Sequence, residues 1–514
     1  MMRRCCLALC IALTATGSLA QDDNEPGRLA RVQALLPEVD KRFADLAAAE
    51  HLPGVVYGVI LDGKLVHARA QGYANLEEKI PVTLDTQFRI ASMSKSFVCL
   101  AALKLRDQGK LGLDDPVAKY LPELSTLKLP TSDSPTLTVR MLMTMTTGLP
   151  EDNPWGDRQM DTSNAELAKF VGAGLSFSSA PGTVFEYSNL GYALLGKVVG
   201  KASGMRFQDY ITRQILQPLG MTSTIWEYAS APPARLALGY HWRNNAWQRE
   251  PMLHDGDAAA LGGLLTSMTD FSKYAAFLMD AWPARDGADS GPLKRSSVRE
   301  LQQPRVFSSF APKATLVGKQ TPNPGVDFYG YGLRIARAAN GTVVIGHGGG
   351  LPGFGSDFRF APDHGLAVIA FSNRRYAPMS RTRLTHELIE RAKLPGRSPV
   401  PAPILLRRQQ QVAQLVQTWD ERLGAEIAAD NLFLDRSRAD WIELSGKTLG
   451  PIGAIQSIGP IKAENRLRGA FPIVGERGTV NVHFTLTPEA DPKVQEIELS
   501  EVQQHQAPGN SRWQ

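Results

Sequence analysis

The sequence predicts a mixed α/β (α+β) protein in which both ends of a large domain build one antiparallel sheet. Strand-like segments lie at residues 54–74 and again at 341–373. About 250 residues rich in helical periodicity separate them. A proline-rich segment follows, and the chain beyond it has helix and strand patterns of its own. We therefore expect flanking helices, an inserted helical subdomain and a second, smaller C-terminal α+β domain.

The first strand-like segment reads GVVYGVILDGKLVHARAQGYA, with Asp62-Gly63 between two runs of β-favouring residues. Asp-Gly is a preferred two-residue hairpin turn because its backbone twist matches that of the flanking strands. A later segment, GFGSDFRFAPDHGLAVIAFSN, predicts another strand pair that turns between Pro362 and Gly365. These two pairs are the expected antiparallel sheet.

Helical periodicity dominates the chain between the two strand regions. The stretches NLGYALLGKVVGKASG and MTDFSKYAAFLMD predict amphipathic helices, and the polar lead-in from about Pro26 to Glu50 predicts another. A cleft between the helical insertion and the sheet is where we expect a site to form.

The segment KLPGRSPVPAP predicts a linker, because its prolines can neither continue a helix nor donate sheet hydrogen bonds. We place the larger domain at residues 28–392, the linker at 393–403 and a C-terminal accessory α+β domain at 404–514. In that last domain Val480, Val482 and Phe484 alternate with polar residues, which is the pattern of a strand with one buried face.

Residues 1–20 have the pattern of a secretory signal peptide. A basic start at Arg3-Arg4 precedes the apolar run CCLALCIALTATG, and small residues end at Ala20. The apolar run is shorter than the ~20 residues of a membrane-spanning helix, which disfavours an anchor. We expect an exported protein, periplasmic or secreted, with no membrane span in its mature chain.

Composition narrows the function classes. Cys5, Cys6 and Cys10 would leave with the signal peptide, so Cys99 alone would remain and no internal disulfide is expected. The formal charge of +5 would fall to +3, and no basic run exceeds two residues, so we expect no nucleic-acid partner.

The nine histidines include no His-x-x-x-His pair, and we expect neither a catalytic metal nor a cofactor. The oligomeric state is left open.

The stretch RIASMSKSF contains the first candidate for chemistry. Ser92 lies three residues before Lys95, whereas Ser94 and Ser96 have no lysine at that offset. Positions i and i+3 share a helix face, so the lysine amine can sit beside the serine hydroxyl. A serine becomes a nucleophile when a base takes its proton, and lysine can be that base if burial lowers its usual pKa of about 10.4. A polar helix start with a solvated lysine has the same pattern.

Two further motifs follow in the chain. PGTVFEYSNLGYALLG contains Tyr187-Ser188-Asn189, and VVIGHGGGLPGFGSDFRF contains His347-Gly348-Gly349 at a strand end. With these motifs in this order, the chain resembles the serine hydrolase superfamily of class C β-lactamases, D-Ala-D-Ala carboxypeptidases, D-aminopeptidases and related esterases. The surrounding segments LTVRMLMTMTTGLP, PLGMTST and GGLLTSMTDFSKYAAFL are similar to family segments too. The resemblance spans roughly residues 30–390 and leaves out the C-terminal domain.

The resemblance implies three catalytic residues. Ser92 would be the acylated nucleophile and Lys95 its proton partner. Tyr187 would act as general base or relay the proton to the leaving group. Which of Lys95 and Tyr187 takes the serine proton is left open.

The resemblance also implies four substrate-binding residues. Asn189 would orient the lysine and hydrogen-bond a substrate amide. His347 and Gly349 would line the opposite wall, and the backbone N–H groups of Ser92 and Gly350 would form the oxyanion hole. The glycines suit this position because a strand without Cβ atoms lets a substrate approach closely.

The expected activity is that of an exported serine hydrolase that acts through an acyl-Ser92 intermediate on a small ester, amide or D-amino-acid peptide. Typical class C β-lactamases carry a lysine where this chain has His347, and histidine is mostly neutral near pH 7. A true class C-like β-lactamase is the first alternative, and a non-catalytic penicillin-binding scaffold or sensor is the second. Four aromatic and imidazole residues lie where relatives place variable cleft loops, with either a substrate contact or a surface role open: His241, Trp242, Trp247 and His254.

Overall fold

A computed structural model describes residues 27–312, 324–379 and 381–501 of the chain. The expected signal peptide and the last residues of the C-terminal domain lie outside these ranges.

The strands of the described residues are numbered here in chain order. They are β1 (Gly54–Leu61), β2 (Lys64–Asn75), β3 (Ile80–Pro81), β4 (Phe88–Arg89), β5 (Tyr240–Arg243), β6 (Ala246–Arg249), β7 (Leu265–Thr266), β8 (Val306–Ala311), β9 (Gly325–Tyr329), β10 (Arg334–Ala338), β11 (Val343–Leu351), β12 (Phe354–Ala361), β13 (Leu366–Ser372), β14 (Ile455–Ile458), β15 (Lys462–Asn465), β16 (Arg468–Gly475), β17 (Thr479–Leu486) and β18 (Val494–Glu501).

The α-helices are numbered in the same way. They are α1 (Arg28–Gln33), α2 (Leu36–Ala49), α3 (Ser94–Asp107), α4 (Val139–Thr144), α5 (Asn164–Gly172), α6 (Asn189–Ser203), α7 (Phe207–Ile211), α8 (Met268–Asp280), α9 (Arg295–Leu301), α10 (Thr382–Arg391), α11 (Pro403–Thr418), α12 (Glu421–Ile427), α13 (Asp430–Asp435) and α14 (Arg438–Leu449).

One antiparallel sheet organises the larger unit, in the order β3-β2-β1-β13-β12-β11-β10-β9-β8. Strand β1 from the start of the chain pairs with β13 from its far end, so the predicted sheet built from both ends is confirmed. The predicted hairpin is confirmed as well, because Leu61 pairs with Lys64 across the Asp62-Gly63 turn. Both turn residues have positive φ, 49° at Asp62 and 77° at Gly63, as a primed hairpin turn requires.

Helices cover both faces of this sheet, which explains why every residue of β1 is buried. Val56 and Ile60 belong to a hydrophobic core that includes residues of α3, α6 and α8. The alternate residues Val55 and Tyr57 pack in a second core with residues of α2 and α10. The helices α3 to α9 lie between the two strand regions in the chain, as the helical periodicity predicts.

The edge of β11 positions the site. On one side β11 pairs with β12 from Ile345 to Leu351, but on the other side its pairing with β10 ends at Gly346. Residues 347–350 therefore have a strand edge that β10 does not cover. This edge lies beside the short turn Ala91–Met93 that precedes α3.

The C-terminal part contains α11 to α14 and strands β14 to β18, with an apolar cluster made of residues between Ala402 and Ile497. In β17 the predicted alternation is present, with Val480, Val482 and Phe484 fully buried. No helix or strand occurs between the end of α10 at Arg391 and the start of α11 at Pro403. Among the described residues, no helix is long and apolar enough to cross a membrane.

Candidate active site

Ser92 lies in the tight turn that leads from β4 into α3. The preceding residue, Ala91, has φ of 50°, a left-handed conformation that is uncommon for a residue with a side chain. Such backbone strain persists only where the surrounding structure enforces it, and it clusters at functional sites. Ser92 directly follows this strained residue, and Lys95 lies one turn further on in α3.

The Lys95 amine is at the centre of a buried hydrogen-bond network. Its Nζ lies 3.0 Å from Ser92 Oγ and 2.8 Å from Asn189 Oδ1, and it also donates to the backbone carbonyl of Leu261. The spacing of three residues therefore brings serine and lysine into direct contact, as the sequence predicts.

Burial lowers the pKa of Lys95 from its ordinary 10.5 to about 7. The lysine side chain is fully buried, so its charged form loses hydration and the neutral amine gains in relative stability. The carboxylates of Asp157 and Asp152 oppose this change, while the nearby charge of Arg334 reinforces it. Near neutral pH, a large fraction of Lys95 is therefore a neutral amine that can accept a proton.

Asn189 begins helix α6 and holds the lysine in place. Its amide nitrogen donates to Asn153 Oδ1 and to Asp157 Oδ1, which leaves the amide oxygen to accept from Lys95. The helix start is fixed in turn by Asp152, whose two carboxylate oxygens accept the backbone N–H groups of Asn189 and Leu190, each at 2.7 Å.

Tyr187 is buried beside the lysine, with Lys95 Nζ 5.0 Å from the centre of its ring. Burial raises the pKa of the phenol well above its usual value of 10, more than the hydrogen bond with Ser92 and the charge of Arg334 lower it. The phenol therefore carries its proton at neutral pH. A partly ionised phenol, which the general-base role of Tyr187 would need, is not favoured in this environment.

His347 occupies the wall opposite Ser92, where its ring contacts those of Tyr187 and Tyr329. Its Nε2 lies 3.2 Å from the Tyr329 hydroxyl. Burial, together with the charges of Arg334 and Lys95, lowers the pKa of His347 well below its usual 6.5. The imidazole is therefore neutral and supplies no positive charge to a substrate.

Gly349 and Gly350, the second and third residues after this histidine, face opposite sides of the strand. A Cβ on Gly349 would collide with the carbonyl oxygen of Ile90 and lie 2.9 Å from Ala91 Cβ, so only glycine lets β11 pack against the serine turn. A Cβ on Gly350 would lie 2.8 Å from the ring of Tyr376. The glycine run thus brings the uncovered edge of β11 close to Ser92.

A cavity of about 520 Å³ opens onto this edge. Ser92, Tyr187, His347, Gly349 and Gly350 line it, whereas Lys95 and Asn189 lie behind its wall. The structure thus brings all of the predicted site residues together. Gly348 of the predicted motif His347-Gly348-Gly349 lines the cavity as well. The cavity is also lined by residues that the sequence did not single out: Glu151, Asn153, Pro154, Asp157, Arg334, Ser356, Asp357, Arg359, Tyr376, Ala377, Pro378 and Met379.

No short pattern identifies these additional polar residues, because they come from several separate segments of the chain and their place depends on the fold. The exceptions are Asp357 and Arg359, which break the apolar alternation of a strand whose other residues are small or aromatic. An acidic and a basic residue two positions apart in a fully buried strand are the one signal that could have indicated them.

The four residues in the region of variable loops lie away from the cavity. Trp242 stacks on His51 with ring centres 4.2 Å apart, and Trp247 packs edge-on against Trp242 and donates to the His51 carbonyl. His241 lies 3.2 Å from Glu250, and His254 lies beside Glu227. A substrate contact by these residues is therefore not supported. Among the residues that the structure describes, no group of three or more His, Cys, Asp or Glu is arranged to hold a metal ion.

A serine at a helix start, a buried lysine and a glycine-rich strand edge lie together on an antiparallel sheet, an arrangement typical of one class of serine hydrolases. The profile of the family described as Beta-lactamase matches residues 39–393. The chain therefore belongs to the beta-lactamase family, and the resemblance noted from the three motifs is confirmed.

Two curated relatives illustrate the range of the family. Esterase EstB of Burkholderia gladioli is 31% identical over 378 residues, which cover 68% of this chain and 92% of that protein. Protein flp of Staphylococcus aureus (strain N315) is 25% identical over 359 residues, which cover 68% of this chain and 66% of that protein. The chain thus spans slightly under two thirds of the length of Protein flp.

A solved structure, the octameric penicillin-binding protein homologue from Pyrococcus abyssi, superposes with a TM-score of 0.56. The match covers 91% of this chain and 95% of that one at 21% sequence identity. At this level of identity the likeness supports the fold alone.

Proposed function

We propose that this chain is an exported serine hydrolase that acts through an acyl-Ser92 intermediate on a small ester, amide or D-amino-acid peptide. The observation that carries the proposal is the fully buried Lys95, with its pKa lowered to about 7 and its Nζ 3.0 Å from Ser92 Oγ. Full burial of a lysine is energetically costly. Buried titratable groups with strongly shifted pKa values cluster at functional sites, and the contact of Lys95 with a serine hydroxyl supports such a site here.

The contacts of the amine support Lys95 as the base. The Leu261 carbonyl and Asn189 Oδ1 are both acceptors, so the two N–H bonds of a neutral amine go to them. The lone pair then faces the third neighbour, the hydroxyl of Ser92. In this arrangement the serine O–H donates to the lysine, which is the geometry for proton removal.

The proposed reaction consists of acylation of Ser92 followed by hydrolysis of the acyl-enzyme. Ser92 Oγ bonds to the substrate carbonyl carbon as its proton passes to Lys95 Nζ. The bond from that carbon to the leaving oxygen or nitrogen breaks, and the leaving atom takes a proton from Tyr187, whose phenol is protonated near neutral pH. Lys95 returns its proton to the phenolate. Water repeats the sequence on the acyl-enzyme and releases the acid.

Hydrogen-bond donors must stabilise the negative charge that develops on the substrate's carbonyl oxygen when Ser92 attacks. The backbone N–H of Ser92, at a helix start, and that of Gly350, on the uncovered edge of β11, are the groups we assign to this role. The absence of a side chain at Gly349 supports the assignment, because only then can the strand edge approach the serine turn.

The cavity supports a small substrate, since about 520 Å³ accommodates a ligand of drug-like size but not a folded protein. The neutral state of His347 removes one cation that a carboxylate-bearing antibiotic would need. The similarity to an esterase supports ester hydrolysis among the three substrate classes. Export rests on the basic and apolar pattern of residues 1–20.

Labelling of the serine tests the proposal. A fluorophosphonate should add one covalent adduct to the wild-type protein, seen by intact-mass measurement, and none to Ser92→Ala. Ser94→Ala is the matched control in the same stretch and should keep the adduct. If wild type and Ser92→Ala give the same result, the assignment of the nucleophile is wrong, and absence of any adduct favours a scaffold or sensor.

A substrate panel then separates the enzyme classes. Short-chain esters, D-Ala-D-Ala peptides, D-amino-acid amides and β-lactams are compared on wild type and Ser92→Ala. We expect turnover of esters or D-amino-acid substrates and only slow acylation by β-lactams. Rapid turnover of a chromogenic cephalosporin would favour the β-lactamase alternative instead.

A further inference from the structure

A second cavity, of about 440 Å³, adjoins the substrate cavity. The two cavities share no lining residue, although the same segment, 153–157, contributes to both. Pro154 and Asp157 line the substrate cavity, whereas Trp155 and Gly156 line the second cavity. This segment is therefore part of the wall between two separate spaces.

The second cavity lies next to the groups that hold Lys95. Leu261 lines it, and the carbonyl of the same residue accepts a hydrogen bond from the lysine. Gly156 packs against Asn189, because a Cβ on this glycine would lie 2.7 Å from Asn189 Cβ. Ser92 does not line the second cavity. A molecule bound there is not placed for attack by the serine, so the cavity is not part of the proposed acyl-transfer site.

Two aromatic rings stand at the mouth of the second cavity. Trp155 and Phe170 both line it, with ring centres 5.7 Å apart, and the two residues are 48% and 43% exposed. The floor is apolar, with Leu167 and Leu261 among its buried residues. A single exposed apolar residue needs no explanation, but an exposed aromatic pair over an apolar cavity is typical of a ligand site. The lining therefore suits the apolar body of a small molecule.

The charges around the second cavity have one sign. Asp161 and Glu166 line it, and none of its lining residues is a lysine, an arginine or a histidine. Ser163 donates its backbone N–H and its hydroxyl to Oε2 of Glu166, at 2.9 and 2.7 Å. These hydrogen bonds lower the pKa of Glu166, so its carboxylate is ionised at neutral pH. Among the described residues, Oε1 of Glu166 has no hydrogen-bond partner and can accept one from a ligand.

An aromatic face attracts a cation because the electron density of the ring is concentrated above and below its plane, and the indole of tryptophan does so most strongly. The same cavity thus offers aromatic faces, carboxylates and an apolar floor, which together match a positive charge carried on an apolar body.

We propose that the second cavity binds a small organic cation, an ammonium group on an aromatic or alkyl body, at a site separate from that of the acyl substrate. The ammonium group faces the rings of Trp155 and Phe170 and the carboxylate of Glu166, and the apolar body packs on the leucines of the floor. The inference does not depend on the activity proposed for Ser92.

Two phenols of the same shape test the charge preference. In 3-hydroxyphenyltrimethylammonium a positively charged nitrogen stands where 3-tert-butylphenol has a carbon. Calorimetry on the full chain should show that the cation binds about 5- to 30-fold more tightly than the neutral compound, the effect of a cation over aromatic rings and beside a carboxylate. Equal affinities would mean that the cavity takes neutral apolar molecules and would refute the cation site. Absence of binding by both compounds would refute the site itself.

Substitutions at the mouth locate the binding. In Trp155→Leu the ratio of the two affinities should fall to within about twofold of unity, whereas Trp155→Phe retains a ring and should keep most of the preference. Glu166→Gln removes the charge while a glutamine still completes the helix cap with Ser163, and it should lower the ratio by about two- to threefold. Trp247→Leu is the matched control, because Trp247 is similarly exposed, at 43%, and lies outside the cavity.

Both tryptophans are about half exposed, so neither substitution is expected to unfold the protein. A preference that persists in Trp155→Leu, or that is lost equally in Trp247→Leu, overturns the assignment to the second cavity.

Labelling separates this site from the substrate cavity. A fluorophosphonate on Ser92 occupies the substrate cavity and should leave the affinity for the cation within about twofold of its original value. Loss of binding on labelling would mean that the probe occupies the substrate cavity, which overturns the separate site. If Ser92 does not react, the proposed function fails, while the ratio in Trp155→Leu still decides on the second cavity.

Sedimentation equilibrium distinguishes a small ligand from a second copy of the chain as the occupant. Wild type and Trp155→Leu should have the same assembly state. A dimer of the wild-type protein that dissociates in Trp155→Leu would mean that another copy covers the aromatic pair, and it would overturn the ligand site.

Discussion

The charge state of Lys95 gives the sharpest prediction for this site. With a pKa of about 7, about half of Lys95 is a neutral amine at pH 7, compared with about one molecule in 3,000 for a lysine at its ordinary value of 10.5. In the proposed mechanism the neutral form is the active base. Acylation should therefore fall as the pH drops below 7, with a slope of one proton, and should level off above pH 8.

The substitution Asp157→Asn should shift the acid limb of the pH–rate profile, the range in which acylation falls with pH. After burial, the charge of Asp157 is the largest influence on the pKa of Lys95, and it raises that pKa. Removing the charge without changing the side-chain shape should lower the pKa by about one unit. At pH 6 the neutral fraction would then rise from about 9% to about 50%, a gain of about fivefold, and the rate at pH 9 would not change.

The assay is the rate of single-turnover acylation by a fluorogenic ester between pH 5 and 10. Asp161→Asn, an exposed carboxylate on the same loop, is the control and should leave the profile unchanged. An acid limb that stays in place or moves to higher pH in Asp157→Asn would refute Lys95 as the base. A limb above pH 9 in wild type would instead indicate Tyr187, whose pKa burial raises.

Three further predictions follow from the same structure. Lys95→Ala and Tyr187→Phe should each slow acylation by ~10²-fold or more, the usual effect of removing a positioned proton-transfer group, measured by stopped flow on folded protein. Gly349→Ala should lower the melting temperature and abolish adduct formation, because its Cβ would collide with the Ile90 carbonyl and force the strand edge away from the serine turn. Protein recovered from the periplasm or medium should begin at Gln21 by N-terminal sequencing, and a retained residue 1 would contradict the signal peptide.

Local patterns were sufficient for much of the fold. The hairpin at Asp62-Gly63 follows from turn chemistry, and the helix at Met268–Asp280 matches the periodic stretch residue for residue. Each depends on interactions between residues close in the chain. The pairing of β1 with β13 required one more step, the assumption that apolar strands from both ends must share a core.

Local sequence patterns predict the contact between the site residues but not the charge state of the lysine. The spacing of Ser92 and Lys95 determines that they touch, because one helical turn separates them. Which state the lysine adopts depends on its burial and on charges from Asp157 and Arg334, which lie 62 and 239 residues further along the chain. No pattern within a short window contains that information.

By itself, the sequence determined the family, the order of the elements and the contact between Ser92 and Lys95, since these depend on short-range spacing and turn chemistry. Only the tertiary structure decided that the pKa of Lys95 lies near 7, that Tyr187 keeps its proton and that Arg334 and Arg359 line one cavity. The physical reason is that hydration loss and Coulomb energy depend on distances in space, and those distances exist only once distant segments have packed together.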